Sequence, residues 1–192
     1  MKPGGVFLIL FVLAIIAGIV VWAVSRAQRL FRAQYAAMIL VAKARSLRFS
    51  NDPDPDVRIH MEGTVEGIPV QVQARVLRLA RHTEPILEVV ARGAKAFPKG
   101  VTIKKTGMLR ASLVAEGEGS GPVNEMLQNR EFQRAMEAVT EPGWGGSPGE
   151  GRMDHDGVQL QKGGYQGDPE VINEMIDRAV RAYKCYEDLI QR

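Results

Sequence analysis

The sequence predicts an α+β protein carried on a single N-terminal membrane helix, and three observations predict it. Residues 6–24, VFLILFVLAIIAGIVVWAV, are nineteen positions without a charge. Residues 57–115 alternate apolar and polar side chains in short runs separated by turn signals. Two later segments, after Pro122 and after Pro169, space their apolar residues at helical intervals. The first observation concerns location and the other two a folded domain. The expected organisation is a transmembrane anchor over 1–25, a basic membrane-proximal helix over 26–50 and a soluble α+β domain over 51–192.

As a helix rising about 1.5 Å per residue, the apolar run is roughly 28 Å long, close to the hydrocarbon core of a bilayer. A cleaved secretory leader is the alternative, because Lys2 supplies a basic start and Ala23-Val24-Ser25 resembles a cleavage site. The run is longer than the usual ~7–15 apolar residues of a leader. Arg26, Arg29 and Arg32 follow at once, as in a stop-transfer segment. A retained anchor is therefore expected. A lipid attached through cysteine is not, since the sole cysteine is Cys185.

The flanks also predict orientation. Only Lys2 precedes the run, whereas Arg26, Arg29, Arg32, Lys43, Arg45 and Arg48 follow it with no acid before Asp52. The more basic flank stays in the cytoplasm. A single-pass protein with a cytoplasmic C-terminal domain is expected, with a periplasmic domain as the alternative. A lone cysteine fits a reducing compartment without requiring one.

Residues 26–47 contain neither proline nor glycine, and Phe31, Tyr35, Met38 and Ala42 recur at spacings of four, three and four. This predicts a helix with Arg26, Arg29 and Arg32 at the lipid head groups and Met38–Leu47 docked on the domain. Asn51–Asp56, with two prolines, ends it. Val57, Ile59 and Met61 then alternate with Arg58, His60 and Glu62, and Ile68–Val76 alternates beyond a Glu66-Gly67 turn. Pro69 removes a ladder donor, so this strand is expected to start at an edge or just after the proline. Further strands are expected at Ile86–Ala91, Val101–Lys105 and Met108–Ala115, separated by turns at 82–85, 97–100 and 106–107. Close turns favour an antiparallel meander over βαβ units.

Pro122 suits the first turn of a helix whose apolar side is Val123, Met126, Leu127, Ala135, Met136 and Val139. A turn-rich loop, Pro142–Gly151, carries Trp144, and Asp156-Gly157 is expected to turn a small hairpin. Asp168-Pro169-Glu170 reads as a helix start, with a cap, a proline at the first position and an acid in the first turn. Ile172, Ile176, Ala179, Tyr183 and Ile190 mark its buried side. About 140 residues suffice for one core, an antiparallel sheet packed with two amphipathic helices.

Charge divides along the chain. Residues 1–50 hold seven of the 25 basic residues and no acid, which leaves the rest of the chain net acidic. The overall basic balance thus belongs to the anchor, not to a nucleic-acid-binding domain. Residues 75–110 are locally basic, with nine Lys/Arg against Glu84 and Glu88, and Phe97 is their only aromatic residue. Such a span reads as a solvated sheet face, or as a patch near anionic head groups. It is not a stacking platform for nucleic acid.

Four features together resemble a loosely defined class of uncharacterised bacterial single-pass membrane-anchored proteins with a C-terminal α+β domain. They are the anchor leading to Ala44-Arg45-Ser46-Leu47-Arg48-Phe49, and Gly63-Thr64-Val65-Glu66-Gly67-Ile68-Pro69-Val70. The others are Phe97-Pro98-Lys99-Gly100, and Asp156-Gly157 ahead of a terminal helix. The resemblance implies a bacterial inner membrane and carries no activity, cofactor or catalytic residue with it.

Candidate chemistry is sparse. Asp154-His155-Asp156 has metal-ligand residue types, but neighbours in a strand point to opposite faces, so a turn is expected. His60 is expected at the surface, and His82 in a polar turn. Cys185 has Lys184 beside it but no histidine near in sequence, and reads as a buried or tolerated thiol. Residues 143–149 share only glycine content with a phosphate loop. Ser112 and Ser147 lack the setting of a nucleophile elbow. The leading expectation is a non-enzymatic interaction or accessory protein tethered to a membrane. Its partners are the lipid bilayer and an unidentified protein, with no cofactor, metal or nucleic acid. Binding of a lipid or small amphiphile between sheet and helices is the second reading. An enzyme whose residues converge only in three dimensions is the third. Ala14 and Gly18, spaced as small-xxx-small, allow a weak homodimer through the span.

Overall fold

One helix, α1, runs unbroken from Pro3 to Ala44 in the computed structural model, which describes residues 3–50, 57–78, 83–106, 112–140 and 151–191. Its 42 residues make a rod of about 63 Å, twice the thickness of a bilayer's hydrocarbon core. Nothing beyond Pro3 in the helix removes a backbone donor. The rod has two unlike halves. From Phe11 to Val24 the large apolar side chains are all exposed, and the helix is long and apolar enough to cross a membrane. Further on, Gln34, Ala37, Met38, Val41 and Ala42 are buried.

The helix stops at Ala44, earlier than the expected 26–50 segment. Ser46 adopts a left-handed conformation (φ 55°), its N–H reaches the Lys43 carbonyl, and the Leu47 N–H reaches the Ala42 carbonyl at 2.8 Å. This paired closure is a Schellman turn, made here without the usual glycine. It releases Arg48–Ser50 as strand β1. The folded core therefore takes in residues from Gln34 onward.

The strands that follow are β2 (Val57–Val65), β3 (Ile68–Arg78), β4 (Thr83–Ala91), β5 (Thr102–Thr106) and β6 (Ser112–Glu116). Helices α2 (Gly121–Met126) and α3 (Arg130–Thr140) come next, then β7 (Gly151–Asp154), β8 (Gly157–Gly163) and α4 (Pro169–Ile190). All eight strands join one antiparallel sheet in the order β1-β2-β3-β4-β8-β7-β5-β6. The sheet is not the expected meander, because the β7–β8 hairpin inserts between β4 and β5. In β4, Ile86, Leu87, Glu88 and Val89 are all buried, so the strand is covered on both faces, as suits its interior place between β3 and β8. β3 is likewise interior. Pro69 stands at its second position, where its carbonyl accepts the Arg92 N–H at 3.0 Å.

Helices cover one face of the sheet. Ile59, Met61, Val72, Leu87, Val89 and Val158 meet Ile172, Ile176 and Ala179 of α4 and Phe132 and Met136 of α3 in one core. The single helix expected after Pro122 is two, because Asn129 breaks it. The Asn129 Oδ1 accepts the N–H groups of Glu131 (3.0 Å) and Phe132 (3.2 Å), capping α3 from within the break. The start of α4 is as expected: Asp168 Oδ1 accepts the Glu170 N–H at 2.9 Å, with Pro169 at the first helical position. The expected Asn51–Asp56 turn, the turn residues 82 and 107, the strand residues 108–111 and the Pro142–Glu150 loop with Trp144 lie outside the described residues.

If the distal half of α1 is a core element, truncating its fully buried Met38 costs about 2–5 kcal/mol. Met38→Ala in the detergent-solubilised full chain should lower the urea midpoint. Leu40→Ala, at a position 57% exposed, should leave it near the parent value.

Candidate functional site

Polar side chains gather at four places: a collar on α1, the helix-free face of the sheet, the β7–β8 turn, and a groove between α3 and α4. The collar is Arg26, Arg29 and Arg32, all exposed. The Arg26 guanidinium lies 5.3 Å above the Trp22 ring. Nine positions, two and a half turns at about 3.6 residues per turn, separate Arg29 from Met38, so the two point to opposite sides of the rod. The collar thus turns away from the docking face, and among the described residues none of the three makes an ion pair. On the span, Ala14 is exposed and a Cβ at Gly18 would meet nothing within 4 Å.

On the helix-free face, strand register lines up Ser50, His60, Gln73, Glu88 and Gln161 in one row across β1, β2, β3, β4 and β8. The next row is Arg48, Glu62, Gln71, Val90, Gln159 and Arg152. The period of two sets both rows opposite the core residues Met61, Val72, Val89 and Leu160. Glu88 is only 7% exposed. Its carboxylate accepts from Arg75 Nη1 at 2.9 Å and from Gln161 Nε2 at 2.6 Å. Gln159 is as buried; its Oε1 accepts two bonds from Arg152, and its Nε2 donates to Asp154 Oδ1 at 3.2 Å. These groups are fastened to one another, which ties β3, β4, β8 and β7 together and leaves each Glu88 oxygen engaged by a donor. His60 departs from the surface position expected for it. It is half-buried, its Nε2 has no hydrogen-bond partner among the described residues, and Glu62 Oε2 lies 3.7 Å away.

Asp154, His155 and Asp156 do converge, with ligand atoms within 4.8 Å of one another. They form the β7–β8 turn, in which Asp154 pairs with Gly157. Asp154 Oδ1 accepts the Asp156 N–H at 2.9 Å, Arg152 Nε sits 3.2 Å from Asp154 Oδ2, and Arg92 pairs with Asp156. Both carboxylates are thus neutralised by arginine, which suits a turn and opposes a dication. Gly157, at φ 108°, closes the turn against the Ala91 carbonyl, where a Cβ would come within 2.3 Å.

The groove between α3 and α4, about 880 Å³, carries four arginines and four acids. Arg178 is held by Glu174 (2.6 Å) and the Ala138 carbonyl (3.0 Å), and Asp177 by Arg45 at 2.6 Å. Charge is balanced across it. The groove went unnoticed in the sequence, although Arg130/Arg134 and Glu170/Glu174/Arg178 recur at the four-residue spacing that shares a helix face. Close by, Cys185 is half-buried. Burial, and then Glu131, push its thiol above the ordinary value of 9.0, so it stays protonated at neutral pH and is a poor nucleophile. At the same end of α4, burial and then Glu187 raise Tyr183, whose hydroxyl donates to the Lys95 carbonyl.

Comparison with known proteins gives no match to any family model, curated protein or solved structure.

Two outcomes follow from this geometry. Arg75→Ala leaves the buried Glu88 carboxylate with the Gln161 amide alone and should cost about 1–3 kcal/mol, read from urea unfolding. Cys185 should be alkylated more slowly in the folded than in the urea-unfolded chain at pH near 9.0. Because the folded thiol keeps its proton above that value, its contribution to stability is whole below 9.0 and is lost as pH rises through the folded pKa.

Proposed function

We propose that this chain is a non-enzymatic interaction or accessory protein, held by one transmembrane pass in a bacterial inner membrane with its α+β domain on the cytoplasmic side. The observation that supports the reading is the continuity of α1. One half of the helix leaves every apolar side chain from Phe11 to Val24 exposed, and the other half is built into the domain core. An all-round apolar surface of that length is stable in lipid and costly in water. The arginine collar and the Trp22–Arg26 pair sit where a helix leaves the hydrocarbon, and the collar's charge supports the inward orientation. The tied-up state of Glu88, Asp154 and Asp156 and the protonated Cys185 favour binding over catalysis. The unidentified partner is a protein, with the bilayer as the permanent one.

The full chain should remain with membranes after alkaline carbonate washing. Ile16→Arg, which puts a charge near the middle of the span at a cost of about 3 kcal/mol, should release part of it. Protease added to spheroplasts should spare residues 51–192 and should digest them once the spheroplasts are lysed. Digestion in intact spheroplasts would place the domain outside, and a mature chain starting near Arg26 would remove the anchor.

A further inference from the structure

We propose that the domain is seated on the bilayer by a second contact, the loop joining β8 to α4 at residues 163–168, with Tyr165 at the level of the lipid head groups. The inference rests on the anchor reading above and adds to it a defined membrane-facing side of the domain.

The argument begins with α1 as a ruler. Trp22 under Arg26 marks the level where the helix leaves hydrocarbon, since tryptophan and snorkelling arginine both settle there. From Val24 to Phe31 is seven residues, about 10 Å of helix. The head-group layer occupies about 5–8 Å of that on each side of a bilayer. At Phe31 the domain already touches the rod: the Phe31 and Tyr165 rings meet edge-on, with centroids 6.4 Å apart. Two residues later Gly167 lies against Ala33, so closely that a Cβ would come within 3.0 Å of the Ala33 Cβ. Span and domain are therefore joined by continuous helix, with no hinge to let the domain lift away.

The direction of α4 then decides which end of the domain faces the lipid. Gly167 sits beside Ala33, while Asn173 and Asp177 bond Arg45 at the far end of α1. The two helices therefore run the same way from the membrane. The Lys184–Glu66 pair, at 2.7 Å, is farther out still. About 24 Å of helix separates Asp168 from Lys184. The start of β4 shares the lower level, because the Gly164 N–H bonds the Pro85 carbonyl at 2.8 Å.

The chemistry at that level suits head groups. Tyr165 is half-buried and offers a ring with a polar tip, the residue type that settles at a membrane interface. Arg26, Arg29 and Arg32, which make no ion pair among the described residues, provide cations for lipid phosphates on the side of α1 away from the domain. Among the described residues three acids lie at this level: Asp168 is already engaged as the cap of α4, Glu170 is exposed, and Glu84 stands at the start of β4. The attraction thus comes from the collar and the tyrosine, and the loop is held in place by the rod.

The test uses the full chain, with Cys185→Ser as background, in vesicles of phosphatidylcholine with a minority of phosphatidylglycerol. A fluorophore is attached in turn to Glu170→Cys and Asp188→Cys, exposed positions at the two ends of α4, and to Leu13→Cys in the span. Lipids carrying a nitroxide on the head group should quench the label at 170 several-fold more than the label at 188. Lipids with the nitroxide deep in the acyl chain should quench only the label at 13. Tyr165→Ser should reduce the quenching at 170, and Tyr165→Trp should keep it. Equal quenching at 170 and 188, with the label at 13 still quenched, would overturn the seating and leave the anchor intact. A label at 13 that no lipid quenches would overturn the anchor itself.

Discussion

Everything in this molecule hangs on one unbroken helix with two unlike halves. α1 is continuous from Pro3 to Ala44, and a helix without a proline, bulge or inserted side chain does not turn a corner. Its proximal half exposes apolar side chains all round, and its distal half buries a stripe. Whatever fixes the first half in space also fixes the domain. The far end is secured by Arg45, whose guanidinium forks onto both oxygens of Asp177 at 2.6 and 2.8 Å and reaches Asn173 at 2.6 Å. Such a fork sets geometry more than it adds stability, about 1 kcal/mol where one partner is exposed. The buried stripe supplies the rest.

The sheet answers a related constraint. Its helix-covered face is apolar and its other face carries rows of polar groups, some of them hidden from solvent. A buried carboxylate such as Glu88 is tolerable only when it is paired and hydrogen-bonded, and Arg75 and Gln161 each bond one of its oxygens from the strands on either side. The bonds cross from β3 to β4 to β8, so the same network fixes the insertion of the β7–β8 hairpin beside β4. A hairpin paired with β4 one residue out of register would put Gln161 on the core face and leave Glu88 without its amide.

Local chemistry was legible in the sequence wherever one residue type has one job. The apolar run, the Asp168-Pro169-Glu170 start of α4 and the Asp156-Gly157 turn are of this kind. Ser46 is the opposite case. It takes a left-handed conformation that usually calls for glycine, and only the carbonyls of Ala42 and Lys43 show why. Asn129 caps α3 from inside what the spacing of apolar residues presents as one helix. Strand order was hidden because adjacency in a sheet depends on burial of both faces, and an alternating pattern reports only one. His60 and Glu88 were misplaced or passed over for the same reason: a polar residue between apolar ones looks solvated until the strands beside it are known.

The changeover within α1 is written in the spacing of its apolar residues. A helix with one apolar neighbour needs one apolar stripe, whereas a helix in lipid meets the same solvent on every side. Residues 6–24 have no stripe, and residues 31–42 have one. The arginines between them lie on the side where the stripe is absent. Gln34 marks the first fully buried turn, only 2% exposed and with its Nε2 lacking a hydrogen-bond partner among the described residues. A polar group is retained there at a cost in stability, one turn beyond the Phe31–Tyr165 contact. The helix therefore does not become a core element gradually. It passes within about ten residues from an exposed apolar surface, through a charged collar, to a buried stripe.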